Sequence, residues 1–159
     1  KYIEIIPQSA KAGYSTGYSD PEFIDSLQHI SLPYLKEGKY RAFPIEGDSM
    51  PPHKEGSFVI GKYVERISEV VAGKTYVFLT RNEGIVYKRV QRKSKGAIVL
   101  SSDNSFYKRY EIQASEILEI WAFASSIATK EYEPDDLSVD NISRMFTEIR
   151  NGISELKGR

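Results

Sequence analysis

Residues 41–130 predict a mainly β domain of mostly antiparallel strands, and residues 135–159 predict an α-helix after it. Two observations carry this. Short runs rich in β-branched and aromatic residues follow one another closely, with turn signals and no long helical pattern between them. After Glu133-Pro134 the apolar spacing changes to an alternation of three and four. A chain of 159 residues is long enough for one domain with a real core plus an appended helix.

Residues 1–40 read as a leader with few regular elements, punctuated by Pro7, Gly13, Gly17, Pro21 and Pro33. Within it, Asp20-Pro21-Glu22 followed by Phe23, Ile24 and Leu27 predicts one short helical turn. Asp20 is its N-cap and proline takes the first position. The rest of the leader is expected to be extended or looping.

Strand signals run from Tyr40 to Ile127. Ser57-Phe58-Val59-Ile60 and Thr75-Tyr76-Val77-Phe78-Leu79 are apolar runs, the second apolar on both faces as an interior strand would be. Arg81-Asn82-Glu83-Gly84 predicts a hairpin turn into Ile85-Val86-Tyr87-Lys88-Arg89-Val90. Lys95-Gly96 then turns into Ala97-Ile98-Val99-Leu100. Beyond Pro134, Val139, Ile142, Phe146, Ile149, Ile153 and Leu156 form a heptad seam. Asp135 and Asp136 suit the start of this helix and Lys157 its end. The seam fits either packing on its own domain or pairing with a second copy.

Composition removes several functions. Lys plus Arg and Asp plus Glu both number 22, and this balance argues against a nucleic-acid-binding surface as the main feature. The absence of Cys excludes disulfides, thiolate metal sites and a Cys nucleophile. No apolar run approaches the roughly 18 residues of a membrane span, and the longest, Ile117 to Ile127, is broken by Glu119. The start, Lys1-Tyr2-Ile3-Glu4, lacks both a signal-peptide pattern and a Met. A cytoplasmic fragment or processed product, with no membrane partner, is the expectation. No cofactor or metal is expected, because the two histidines have no further ligands at a recognisable spacing. The basic cluster Lys88, Arg89, Arg92, Lys93 and Lys95 reads as a solvated hairpin.

The segment with chemical content is Ile45-Glu46-Gly47-Asp48-Ser49-Met50-Pro51-Pro52, which would hold Ser49 on a tight turn beside a strand. A serine nucleophile needs a base. His29 lies in the leader and His53 in a Pro-Pro-His-Lys-Glu turn, so both are poor candidates. Lys88 shares a strand face with Val86 and Val90. A lysine there either sends its ammonium to water along an edge or is partly desolvated. Desolvation lowers a lysine pKa and makes a usable base of it. The opposite face carries Ile85, Tyr87 and Arg89, so periodicity leaves open which face is buried.

Gly47-Asp48-Ser49-Met50, Gly56-Ser57-Phe58-Val59, Val86-Tyr87-Lys88-Arg89 and Leu100-Ser101-Ser102-Asp103-Asn104 occur in this order. Together they resemble the C-terminal domain of LexA-type and lambda-type phage repressors, a domain shared with UmuD-like proteins. These are Ser–Lys self-cleaving peptidase domains related in fold to signal peptidases. The resemblance covers roughly residues 5–125 and implies a LexA/signal-peptidase-like β domain. It implies that Ser49 is the nucleophile and that Lys88, 39 positions later, is the general base. It implies a scissile bond at Ala12-Gly13, 37 residues before the serine, with the Gly47–Met50 turn supplying oxyanion amides. This chain departs from the family by one residue fewer between Met50 and Gly56, and by Gly56-Ser57 in place of Gly-Asp.

The resemblance further implies the regulatory and dimerisation domain of a repressor, a homodimer that binds DNA through a helix-turn-helix upstream of Lys1. It also implies a recombinase filament as activator of cleavage in an SOS-type response. Two rival expectations are a dimerisation or effector-sensing module that does not cleave and a UmuD-like polymerase accessory subunit. Signal peptidase activity itself is set aside for want of a membrane anchor.

Overall fold

Asp20 caps a helix as its sequence position dictates: its side chain accepts a hydrogen bond from the Glu22 amide, and Pro21 opens the helix α2 (Pro21–Asp25). The computed structural model describes residues 2–134 and 139–158, the side chains of residues 139–144 excepted. The chain divides into two units, Lys1–Thr129 and Lys130–Arg159.

In the first unit, the strands are β1 (Ile3–Ile5), β2 (Gln28–Ile30), β3 (Tyr40–Pro44), β4 (Phe58–Val64) and β5 (Thr75–Thr80). They continue as β6 (Gly84–Ser94), β7 (Ala97–Ser101), β8 (Tyr110–Gln113) and β9 (Ile117–Ile127). Among the described residues they form one sheet in the order β2-β1-β3-β4-β9-β5-β6-β7-β8. Neighbours pair antiparallel except β1 with β3. The mainly β, mostly antiparallel class with a C-terminal helix is therefore what the chain adopts.

β5 explains how the sheet builds its cores. It lies between β6 and β9, and its alternate residues enter different apolar clusters, as the two-residue period requires. Val77 and Leu79 join Phe43, Val59 and Trp121; Tyr76 and Phe78 join Val90, Ile98 and Leu100. Both faces being covered, an uninterrupted apolar run suits this position. Where β4 crosses β9 the register shifts at Ile60/Gly61. A Cβ on Gly61 would stand 2.5 Å from the Cβ of Trp121, so only glycine admits this approach.

The leader is more ordered than its sequence suggests. Residues 11–17, expected to loop, form helix α1 (Lys11–Gly17). The expectation failed because the helix has no amphipathic repeat and contains Gly13 and Gly17; its main anchor is one side chain. Tyr14 is fully buried and its hydroxyl donates to the carboxylate of Glu119 on β9. Arg41 Nη1 donates to the Tyr14 oxygen at 2.8 Å, and Trp121 Nε1 to Glu119 at 3.2 Å. Glu119, which breaks the apolar run on β9, is thus a buried carboxylate with its partners in place. Burial and the Glu119 charge push the Tyr14 hydroxyl far above the usual tyrosine range, against the opposing pull of Arg41.

The second unit contains α3 (Val139–Lys157), with Lys157 in its last turn. The seam side chains Phe146, Ile149, Ile153 and Leu156 are exposed, Phe146 by 74%. The charges of Asp135 and Asp136 expected at the helix start, and the seam side chains of Val139 and Ile142, lie outside the described residues. No helix among the described residues is long and apolar enough to cross a membrane.

Candidate functional site

Strands β3 and β4 stay paired one step beyond their ends, since Ile45 donates to the Ser57 carbonyl at 2.8 Å and accepts from the Gly56 amide at 3.0 Å. Residues 46–55 therefore project as a closed loop. Gly47 takes a positive φ of 73°, which its lack of a Cβ permits, and its amide donates to Glu55 at 3.3 Å. Met50 is buried and plugs the loop into the core. Ser49 sits between them, half-buried.

A second segment clamps this turn. After β7, the Asn104 amide donates to the Ser49 carbonyl at 3.0 Å and Asn104 Nδ2 to the Asp48 carbonyl at 3.1 Å. The Asp103 amide meets Met50 Sδ at 3.3 Å, and the Tyr107 hydroxyl donates to the Asp48 carboxylate. Arg89 holds the clamp to the sheet: Nε and Nη2 each reach Asp103 at 2.7 Å, and Nη1 reaches the Gly73 carbonyl at 2.7 Å. Gly47, Asp48 and Met50 thus supply backbone freedom, a polar tie and an apolar plug around Ser49.

Lys88 lies on β6, an interior strand between β5 and β7. Tyr76 stands opposite Lys88 and Phe78 opposite Val86, so Val86, Lys88 and Val90 share the face of the second core. Lys88 Nζ donates to Ser102 Oγ at 2.8 Å and lies 5.5 Å from the centre of the Tyr107 ring. Burial holds its pKa below the ordinary lysine value, partly offset by the Glu83 charge. Ser49 and Lys88 line one cavity of about 230 Å³. No hydrogen bond joins them among the described residues.

Ala12 and Gly13 are brought near this cavity but not into it. Both belong to α1, where the Ala12 carbonyl accepts from Ser15 Oγ at 3.2 Å and the Gly13 carbonyl from Thr16 Oγ1 at 3.0 Å. Ala12 borders a neighbouring cavity of about 270 Å³. Lys11 and Glu46 line both cavities and form an ion pair of 2.8 Å. Lys11 also holds the Glu46 carboxyl below the usual carboxylate range.

Neither histidine hydrogen-bonds to Ser49 among the described residues. His29 packs edge-on against Tyr2, and His53 packs against Tyr87 and Phe123, where burial lowers its pKa. The basic cluster divides: Lys88 and Arg89 belong to the site, while Arg92, Lys93 and Lys95 are exposed on the β6–β7 hairpin. Sequence reasoning quoted Ser102, Asp103 and Asn104 as a motif without giving them work. It missed Tyr107, Glu46 and Lys11, whose partners are distant in the chain.

No curated protein matches the chain. The profile of one family, described as Peptidase S24-like, matches residues 4–124, about three quarters of the chain. That span takes in Ala12, Gly13, the Ser49 loop, Lys88 and the Ser102–Asn104 clamp. A serine on a clamped turn and a half-buried lysine facing the same cavity are the groups a Ser–Lys peptidase requires, and the chain belongs to the S24-like peptidase family.

Proposed function

We propose that this chain is the regulatory domain of a phage-repressor-like transcription regulator that cuts itself between Ala12 and Gly13. The single observation that carries the reading is the shared cavity of Ser49 and the desolvated Lys88, with α1 beside it. Neutral Lys88 takes the proton of Ser49, and the serine oxygen attacks the Ala12 carbonyl carbon. The tetrahedral adduct collapses as the Ala12–Gly13 C–N bond breaks, and Lys88 returns the proton to the Gly13 nitrogen. Water then hydrolyses the Ala12 ester. Ser102 accepts one N–H of Lys88, which leaves the lone pair of the neutral amine for Ser49. The Gly47 amide is engaged by Glu55, which leaves oxyanion stabilisation to the later amides of the turn.

For this to happen α1 must unwind, because a helical peptide bond does not present its carbonyl to an external nucleophile. A seven-residue helix has little stability of its own, and Tyr14 is its principal tie. Tethering supplies the effective concentration that a free substrate would lack.

The exposed α3 seam supports pairing of two copies, with DNA bound through an upstream domain and a recombinase filament favouring the unwound state. The compartment in this reading is the cytoplasm. A second reading, a dimerisation or effector-sensing module without cleavage, draws on the helical state of Ala12–Gly13 and on the bond from Lys88 to Ser102.

Intact mass under denaturing conditions, after incubation from pH 7 to 10, tests the proposal beside Ser49→Ala and Lys88→Ala. A new boundary at Ala12–Gly13 that both variants lack is the expected result. An uncut wild-type chain, with or without a recombinase filament, transfers the weight to the second reading.

A further inference from the structure

The sequence contains two Ala-Gly bonds, Ala12–Gly13 and Ala72–Gly73, so the small pair alone does not say which bond is cut. They differ in the residue before them: Lys11 in one case and Val71 in the other. Lys11 is also where the leader touches the lip of the Ser49 cavity. Its ammonium meets Glu46 at 2.8 Å, three residues before Ser49, and the lysine side chain is only 17% exposed against 61% for the glutamate.

This contact sits at the N-terminal residue of α1, so unwinding from Ala12 onward leaves it in place and pivots the chain about Lys11. An extended chain advances about 3.3–3.6 Å per residue and turns its side chains over at each step. A slip of one residue therefore removes the carbonyl from the roughly 3–3.5 Å range in which a nucleophile attacks. One fixed residue next to the scissile bond is enough to define the register.

Resting on the self-cleavage reading above, we propose that Glu46 is a specificity-determining residue of this reaction. It forms an acidic subsite that takes the Lys11 side chain and so selects Ala12–Gly13. The substrate class is a Lys-Ala-Gly segment with the cut before glycine.

The test is a charge swap in the full chain. First-order cutting at pH 9 is followed by denaturing intact mass for wild type, Glu46→Gln, Glu46→Lys, Lys11→Glu and the double variant Lys11→Glu with Glu46→Lys. Loss of an exposed pair slows cutting about twofold and reversal of one charge about fivefold, while the double variant returns to within about twofold of wild type. Added salt slows the wild type toward Glu46→Gln and leaves that variant unchanged. Single reversals that cut at the wild-type rate, or a double variant slower than both, overturn the proposal.

If the wild type never cuts, the self-cleavage reading fails separately, and chains carrying Ser49→Ala decide on the contact by titration of the Glu46 carboxyl, followed by NMR with and without Lys11→Gln. A Glu46 carboxyl that titrates below the ordinary glutamate range and rises in Lys11→Gln supports the subsite; one that titrates alike in both chains removes it.

Discussion

Lys88 and Ser102 meet at 2.8 Å just past the end of the β6–β7 ladder, one the candidate base and the other part of the segment that clamps the nucleophile turn. Because Asn104, two residues further on, donates to the Ser49 carbonyl, one short segment holds both halves of the dyad. In the proposed reaction Ser102 is accordingly a positioning residue. Ser102→Ala lowers the cleavage rate about tenfold through loss of the hydrogen bond that orients the Lys88 amine, and Ser102→Thr, which keeps the hydroxyl, restores most of it. Rate constants for the three chains, with the pH profile of each, check this.

The pH dependence follows from the sign of the Lys88 shift. Burial places its folded pKa below the ordinary lysine value of 10.5, so the cleavage rate climbs with pH and levels off before 10.5. The same shift has a stability consequence. Below the folded pKa the charged lysine is disfavoured in the folded state, and this penalty disappears as pH rises through that value toward the unfolded one. The difference in Tm between Lys88→Met and wild type therefore shifts in favour of wild type from pH 7 to pH 10. A difference that stays constant over this range contradicts the assignment.

Helix α1 is expected to oppose cutting, and two substitutions push it in opposite directions. Gly13→Ala adds a Cβ with nothing within 4 Å, which strengthens the helix by roughly 0.5–1 kcal/mol, raises Tm and slows cleavage. Tyr14→Phe removes the hydroxyl between Glu119 and Arg41, lowers stability by about 1–3 kcal/mol and speeds cleavage. Thermal melts and cleavage rates measured on the same preparations give the two signs. As a contrast, a Cβ at Gly17 would come within 2.7 Å of the Phe23 ring, so Gly17→Ala destabilises.

The seam on α3 gives an association test. If two copies pair through it, Phe146→Glu or Ile149→Glu converts a dimer to a monomer in sedimentation equilibrium without changing the melt of the β unit. An unchanged association constant assigns the contact to another surface.

The strands legible in the sequence were those whose residues satisfy the local period. β5, β6 and β7 appeared within a few residues of their bounds because apolar, β-branched runs between turn residues have few other uses. β1 and β2, at three residues each, carry no period, and β1 is paired to residues far along the chain. α1 was missed for the same kind of reason, since its tie runs from Tyr14 to Glu119 across 105 positions. At the site, Ser49 and Lys88 were legible through motif and resemblance. The clamp from Asp103, Asn104 and Tyr107 and the Lys11–Glu46 pair exist only once the fold has brought those residues together.

Strand β1 lies before Ala12 and is hydrogen-bonded on both sides, to β2 and to β3, with Ile3 and Ile6 buried in the unit. Hydrolysis at Ala12–Gly13 would therefore yield a nicked protein whose two pieces remain interlocked. Anything joined ahead of β1 would stay docked until that strand peeled out of the sheet. Scission and separation become distinct events with distinct rates: a chemical one governed by the cavity and a mechanical one governed by three residues of ladder and two isoleucines. A regulator built this way would keep its grip for a time after it had been cut, and the length of that delay would be set by how firmly β1 is held between β2 and β3.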